Sequence, residues 1–369
     1  MSLVNKSEQN RSEIELAPRK TEVLEAEGIF ARRSIARAAE LLREGKTVAF
    51  PTETVYGLGA NVFDPAAVAC IFAAKDRPAW DPLIVHVCDR EMLARVATVP
   101  AGFRGRIFTD LIEAFWPGPL TLLLPRTAAV PDAVTAGRAL VGVRIPALGL
   151  TRDLIRQAGV PIAAPSANRF GHTSPTTAAH VLADLDGRID AVLDGGSTKV
   201  GVESTVVGPD ETDDFGLLVY RPGGVTTAML ETVCGVGCCA PYRSGGTAQP
   251  ASLPSPGVGM RHYAPRARLV LVGDGGESTV PLERRLVEAI DAAGGEAGVM
   301  LPDGWDAGSA AVVFRWGPWD SPEVLARLLF FGLRMLDDRG VKVIVCPLPE
   351  ADGLGEAIRD RLEKAARSF

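Results

Sequence analysis

Ile35, Ala38, Ala39 and Leu42 recur at three- and four-residue intervals between Arg32 and Arg43, which puts apolar side chains on one face of a helix. Gly45 supplies a common helix stop. A short apolar run at 47–50 predicts a strand. The stretch Pro51-Thr-Glu-Thr-Val-Tyr-Gly-Leu-Gly59 that follows is too rich in Thr and Gly for an ordinary core strand. Asp64-Pro65 opens a second helix reaching Ala74, with Asp as cap and Pro in the first turn. Further strands are expected at 83–87, 120–124, 140–145, 161–164, 191–193, 204–207 and 217–220. Helices are expected near 91–97, 104–115, 151–158, 176–185 and 226–232. This alternation predicts one α/β domain over residues 29–232 and leaves the strand order open.

Periodicity vanishes between Cys234 and Ala267, where Gly, Pro, Ser and Ala dominate. Residues 233–267 are expected to be a linker, and loops of that length tend to be functional or disordered. The pattern restarts with a strand at 269–272, a helix at 281–293, strands at 298–301 and 311–314, a helix at 322–336, a strand at 341–347 and a helix at 353–366. That run predicts a small Rossmann-like, three-layer second domain over 268–369. Residues 1–28 are polar and charged, without the apolar core of a signal peptide, and are expected to form a flexible tail on a cytoplasmic protein. No apolar run is long enough for a membrane span.

The formal net charge of −6 argues against a surface that coats nucleic acid, which needs a basic excess. It leaves room for a local basic pocket around a small anion. Six irregularly spaced cysteines do not suggest a disulfide framework, and Cys234, Cys238 and Cys239 lack a second ligand pair at zinc-like spacing. Gly45-Lys46-Thr47 looks like the end of a phosphate-binding loop. That loop needs Gly at position 40, where Glu40 stands, and must follow a strand rather than a helix.

Chemistry concentrates in a few stretches. Lys75 and Arg77 follow the second helix, and in an extended segment such cations point to opposite faces. Pro78 and Pro82 stiffen the chain up to His86, which lies within the apolar run 83–87. By themselves these residues also fit a solvated basic turn and a hydrogen-bonded core histidine. Ser166 and Asn168 end the 161–164 strand, where α/β sheets hold ligands. Ser174 is placed as the cap of the next helix, whose N–H groups suit phosphate. Arg144 lies in an apolar strand and must be paired, with either an internal carboxylate or a ligand carboxylate.

Together these pieces resemble the YrdC-like family of threonylcarbamoyl-AMP synthases. The resemblance rests on the ordered set Phe50-Pro-Thr-Glu-Thr-Val-Tyr-Gly-Leu, Lys75-x-Arg77-Pro…Pro82-Leu-x-Val-His86, Trp116-Pro-Gly-Pro-Leu-Thr121, Val143-Arg-Ile-Pro, Ala164-Pro-Ser-Ala-Asn168, Asp194-Gly-Gly…Glu203-Ser-Thr-Val and Arg221-Pro-Gly. Ser255-Pro-Gly…His262-Tyr-Ala-Pro265 resembles the linker of the longer, two-domain form, which closes over the active site.

The resemblance implies a YrdC-like twisted α/β catalytic domain and synthesis of threonylcarbamoyl-AMP and pyrophosphate from L-threonine, bicarbonate or CO2, and ATP. ATP is a substrate, with Mg²⁺ accompanying it, and no metal site or tightly bound cofactor is implied. The product would serve tRNA modification through threonylcarbamoyl-transferase proteins. Thr54, His86, Arg144, Ala164 and Ser204 would hold L-threonine, with Arg144 on its carboxylate. Lys75, Arg77, Asp81, Ser166, Ser174, Arg221 and Tyr263 would surround the nucleotide, with Lys75, Arg77, Ser166 and Asn168 at the reacting centre. The chain departs from the family pattern at Asp81, where Asn is usual, at Phe170, where a small residue is usual, and at Val207-Gly208, which lacks a common Asp. A carboxylate at 81 would repel phosphates unless paired or metal-bound. Two other readings are a carbamoyl-adenylate former, whose extra modules the sequence lacks, and an RNA-binding module, which the acidic balance disfavours.

Overall fold

The computed structural model describes residues 20–213, 216–243, 252–258, 262–273 and 280–367. The first domain carries strands β1 (Glu22–Glu25), β2 (Val48–Phe50), β3 (Gly57–Asn61), β4 (Ile84–His86), β5 (Leu120–Pro125), β6 (Leu140–Arg144), β7 (Ile162–Ala163), β8 (Ala191–Asp194), β9 (Thr205–Pro209), β10 (Leu217–Arg221) and β11 (Cys239–Pro241). Its helices are α1 (Ala31–Arg43), α2 (Pro65–Lys75), α3 (Arg90–Val96), α4 (Gly102–Phe115), α5 (Asp132–Thr135), α6 (Gly149–Ala158), α7 (Ala178–Leu185) and α8 (Thr227–Cys234). The strands form one mixed sheet in the order β1-β8-β2-β3-β7-β4-β6-β5-β9-β10-β11. Its central strands are buried along their length, as expected of a sheet covered on both faces.

The helices end where the residues dictate. The Asp64 side chain accepts from the Ala66 and Ala67 amides with Pro65 behind it, and Asp76 takes the left-handed cap after Lys75. Gly45 follows α1 at φ +75°, consistent with a helix stop and not a phosphate loop.

Several expectations need correction. The N-terminal segment was expected to be a flexible tail through residue 28. Residues 22–25 instead form β1, paired in parallel with β8 and burying Leu24; residues 1–19 of that segment lie outside the described residues. The Thr- and Gly-rich stretch after Pro51 does hold a strand, β3, because Gly59 lets the Phe50 ring of β2 and Ile162 of β7 approach to where a Cβ would stand 2.5 and 2.7 Å away. The linker is not irregular throughout, since β11 extends the sheet alongside β10. Propensity misjudges such edge and glycine-bearing strands because neighbours, not the segment, decide them.

The second domain comprises β12 (Arg268–Val272), α9 (Leu282–Ala293), β13 (Ala297–Pro302), β14 (Val312–Gly317), α10 (Pro322–Asp338), β15 (Val343–Pro347) and α11 (Gly353–Ala366). Its all-parallel sheet runs β12-β15-β13-β14. Side chains alternate along each strand: Ala297, Val299 and Leu301 pack with Leu286 and Ile290 of α9, and Met300 packs on the other face with α10 and α11. This is the three-layer arrangement expected of a Rossmann-like unit.

The core under α10 and α11 is shared between domains. It takes in Val55 and Val202 of the first domain and Tyr263 of the linker. Gly201 sits against α10 at φ +83°, where a Cβ would stand 2.3 Å from Arg327 Cα and 2.4 Å from the Ala326 carbonyl. Gly201→Ala should therefore force backbone apart at the domain contact. The expected destabilisation is about 2–4 kcal/mol, from overpacking plus the left-handed penalty. Urea unfolding of the full chain checks this, and an unchanged midpoint would mean the contact yields freely.

Candidate active site

His86 and Arg144 are the last residues of the neighbouring parallel strands β4 and β6 and are register partners, so their side chains lie side by side. Arg144 Nε donates to His86 Nε2 at 2.9 Å, its Nη1 to Glu53 Oε1 at 2.9 Å and its Nη2 to Thr54 Oγ1 at 3.1 Å. The Thr52 hydroxyl accepts from the Thr54 and Val55 amides and donates to the Val55 carbonyl, which fixes the turn presenting Glu53 and Thr54. The internal carboxylate left open for Arg144 is thus Glu53, whose second oxygen accepts from the Ala147 amide at 3.0 Å. Burial, together with Arg144, holds His86 far below the ordinary imidazole range, so it is a neutral acceptor.

A second group lies around β7. Lys75 is the last residue of α2 rather than part of an extended segment, and it is buried. Its Nζ donates to the Ser166 carbonyl at 2.6 Å and to the Asn168 carbonyl. Burial and the nearby Arg77 push its ammonium well below its ordinary value. Asn168 Nδ2 donates to the Arg169 and His172 carbonyls, at 2.9 and 2.7 Å, and braces the turn. Arg77 donates to the Asp81 and Pro82 carbonyls at 3.1 and 2.7 Å and pairs with the Asp81 carboxylate at 3.0 Å. The pairing required of a carboxylate at 81 therefore exists. Burial still pushes the Asp81 carboxyl up, against Arg77, Lys75 and Arg221. Ser174 does not cap the following helix, since Thr177 does so by accepting from the His180 amide. Ser174 instead donates to Glu203; residues 175–177 separate it from the start of α7.

The third group comes from β9 and β10. Arg221 donates through Nε to the Ser204 carbonyl at 3.1 Å and through Nη2 to Ser204 Oγ at 3.2 Å, and Ser204 Oγ is 2.8 Å from Thr121 Oγ1. Among the described residues Arg221 has no carboxylate partner within ion-pair distance.

These groups enclose one cavity of about 50 Å³ of free volume. Thr54, Arg77, His86, Arg144, Ala164, Ser166, Ser204, Arg221 and Tyr263 line it. Lys75, Asn168, Asp81 and Ser174 do not; they stand behind it, holding the loops that do. The cavity is roofed by Pro256, Gly257, His262 and Tyr263 of the linker. Both His262 ring nitrogens and the Tyr263 hydroxyl are buried with no hydrogen-bond partner among the described residues. Tyr263 has φ +66°, a left-handed backbone that a bulky residue adopts only when its surroundings impose it. Burial, then Glu203, pushes its phenol up to about 12.

The roles read from the sequence left out Glu53, Glu203, His262 and Arg361, although the motifs quoted contain the first three. The two glutamates had a signal, each being the sole charge in an otherwise apolar and hydroxyl-bearing motif. Arg361 had a weaker one, lying on the apolar stripe of Ile358, Leu362 and Ala365 in α11.

Comparison with known proteins decides the family. Residues 40–223 match the family described as "Telomere recombination", and residues 225–367 match "Threonylcarbamoyl-AMP synthase, C-terminal domain". The chain is 42% identical to a threonylcarbamoyl-AMP synthase of Pyrococcus abyssi over 89% of this chain and 93% of that protein. It is 43% identical to one of Bacillus subtilis, over 90% and 92%. The chain belongs to the threonylcarbamoyl-AMP synthase family. It is accordingly an adenylate-forming enzyme with the activity read from the motifs. The crystal structure of P. abyssi Sua5 complexed with L-threonine superposes with a TM-score of 0.84 at 40% identity, covering 94% of this chain and 98% of that one.

The neutral buried imidazoles give this site a pH signature. His86 and His262 have folded pKa values well below the 6.5 of the free side chain, His262 through burial and its cationic neighbours. Below pH 6.5 the unfolded chain takes up these protons and the folded chain does not. Stability is therefore complete above that pH and falls as pH drops, by about 1.4 kcal/mol per unit for each imidazole. Urea unfolding at pH 7.5, 6.0 and 5.5 should show a shallower loss for His262→Gln than for wild type; equal slopes would mean that this imidazole is charged in the fold.

Proposed function

We propose that L-threonine binds between β4 and β6 and that the ATP phosphates bind across Arg77, Ser166 and Arg221. The observation that carries this is the charge balance. Arg144 is matched by Glu53 and Arg77 by Asp81, and the buried Lys75 and Arg221 are left without a carboxylate among the described residues. Buried cations in excess call for an anion. Thr54, His86, Ala164 and Ser204 lie around Arg144 at the scale of an amino acid, and a substrate carboxylate would share the Arg144 fork with Glu53.

In this placement the threonine amine takes up CO2 or bicarbonate as a carbamate. A carbamate oxygen attacks the α-phosphate, and pyrophosphate leaves. Negative charge grows on the phosphate oxygens, which is what Arg77 and Arg221 stabilise. Lys75 acts by fixing the Ser166 and Asn168 backbone. The linker roof excludes water from an intermediate that water would destroy. Mg²⁺ would accompany the phosphates of ATP. The described residues include no helix long and apolar enough to cross a membrane. The adenylate would then pass to a transferase acting on tRNA.

Purified protein incubated with ATP, bicarbonate and radiolabelled L-threonine should give labelled adenylate and pyrophosphate. Arg77→Ala should lower this at least about 100-fold in a folded protein, the scale of losing one preorganised donor. Tyr263→Phe should lose less. Normal turnover in Arg77→Ala would remove that residue from the reacting centre.

A further inference from the structure

Helix α11 belongs to the second domain, but its buried charges serve the first. Arg361 is 1% exposed. Its Nε donates to Glu203 Oε2 at 2.7 Å, and its Nη1 donates to the Pro222 carbonyl at 2.9 Å and to Asp360 Oδ2 at 2.7 Å. Its Cζ lies 5.2 Å from the centre of the Tyr263 ring, and Phe330 of α10 stacks on that ring at 5.8 Å. One turn on, Lys364 Nζ donates to the linker carbonyl of Gly257 at 2.7 Å and pairs with Asp360 at 2.7 Å. Gly257, at φ +80°, passes so close that a Cβ would stand 2.7 Å from the Tyr263 hydroxyl and 2.9 Å from Arg221 Cδ.

A guanidinium buried this deeply is expensive, and an apolar side chain of similar volume would serve the second domain's own packing as well or better. Apart from its neighbour Asp360, every partner of Arg361 named above lies in the first domain or the linker. Glu203 is the hinge of the arrangement. One of its oxygens accepts from Ser174 and the other from Arg361. Burial pushes its carboxyl up, but Arg361 and Arg221 overcome that and hold it below its ordinary value, so it stays ionised.

We propose that Arg361 is a positioning residue for adenylate synthesis. It sets Glu203 and the Tyr263 ring so that the linker lies over Arg77 and Arg221, and the second domain is the seat on which this cover rests. The proposal depends on the reading that Tyr263 covers the bound nucleotide. Its consequence is a change in partition. When the cover is loose, water adds at the carbonyl carbon of threonylcarbamoyl-AMP, AMP leaves, and the carbamate reverts to threonine and bicarbonate. Pyrophosphate is still released, but less of it is matched by intact adenylate.

The test uses the full chain and the variants Arg361→Met, Arg361→Lys, Lys364→Met, Tyr263→Ala and the double variant Arg361→Met/Tyr263→Ala. Pyrophosphate release and intact threonylcarbamoyl-AMP are measured together at early times, after thermal unfolding has established that each variant folds. Arg361→Met should lower adenylate recovered per pyrophosphate about 10-fold, and Arg361→Lys should restore part of it. Lys364→Met, which leaves the Arg361–Glu203 pair in place, should shift the ratio the same way by less, and it decides the matter should Arg361→Met fail to fold. In adenylate recovered per pyrophosphate, the double variant should be no worse than Tyr263→Ala alone, because residues acting as a unit are not additive. Wild-type recovery in Arg361→Met, or losses that multiply in the double variant, would overturn the proposal. Wild-type behaviour of Tyr263→Ala would instead overturn the reading of the linker as a cover, and this inference with it.

Discussion

Lys75, Arg77, Arg144, Arg221 and Arg361 are all buried around one small cavity, and removing each from water costs several kcal/mol unless a partner compensates it. Much of the local architecture follows from that requirement. Glu53 is presented to Arg144 by a hydroxyl-closed turn, Asp81 lies four residues beyond Arg77 in a proline-stiffened loop, and Glu203 meets Arg361 across the domain boundary. Lys75 and Arg221 are compensated by carbonyls and a hydroxyl alone. The residual positive charge is therefore located, not diffuse, and it sits where the phosphates of a nucleotide would complete the balance. A chain with a net charge of −6 can bind a strongly anionic substrate because the relevant field is set within a few ångströms in a low-dielectric site.

The roof obeys a complementary constraint. A free volume of about 50 Å³ is far below the several hundred Å³ typical of ligand pockets. On the proposed placement of ATP, a larger volume would have to open beneath the linker. The orphaned atoms agree with this. The His262 nitrogens and the Tyr263 hydroxyl each lose hydrogen bonds to water without gaining a protein partner, a penalty of about 1–3 kcal/mol apiece. His262 lies near Arg77, Lys75, Lys364 and Arg221, and its one ring N–H and the Tyr263 hydroxyl are unused donors among the described residues. The covered arrangement without ligand is thereby kept from being too stable to open.

Legibility in the sequence followed the range of the interactions. Helices α2 and α10 could be read closely because Asp64-Pro65 and Pro322 are local signals. Both domains could be read because two periodicities alternate over long stretches. Strand β3 could not, since its glycines are tolerated only through the approach of Phe50 and Ile162 from neighbouring strands. Within the site, the ordered motifs brought to attention side chains that gather around one cavity, but not their hydrogen-bond partners. Lys75 and Asn168 look like ligand contacts in a linear motif, and in the fold both bond backbone carbonyls. Ser174 looks like a cap and bonds a glutamate 29 residues away. Arg361 sits 158 residues from Glu203, and its neighbours Asp360, Glu363 and Lys364 give α11 the look of a solvated face.

Glu203 is the point at which the two domains stop being separable. With an apolar side chain in place of Arg361, the Glu203 carboxylate would be buried with the Ser174 hydroxyl as donor and no ion-pair partner among the described residues. It would then either take up a proton or remain charged at the wall of the cavity, where it would repel an anionic substrate. With Arg361 in place neither happens, and the same guanidinium lies against the aromatic face of the roof, where a cation is attracted to the ring. Charge balance at the floor of the site and placement of the cover above it thus depend on one side chain from the other domain. On the proposed role of Arg361, the second domain would contribute to the chemistry although none of its described residues lines the cavity.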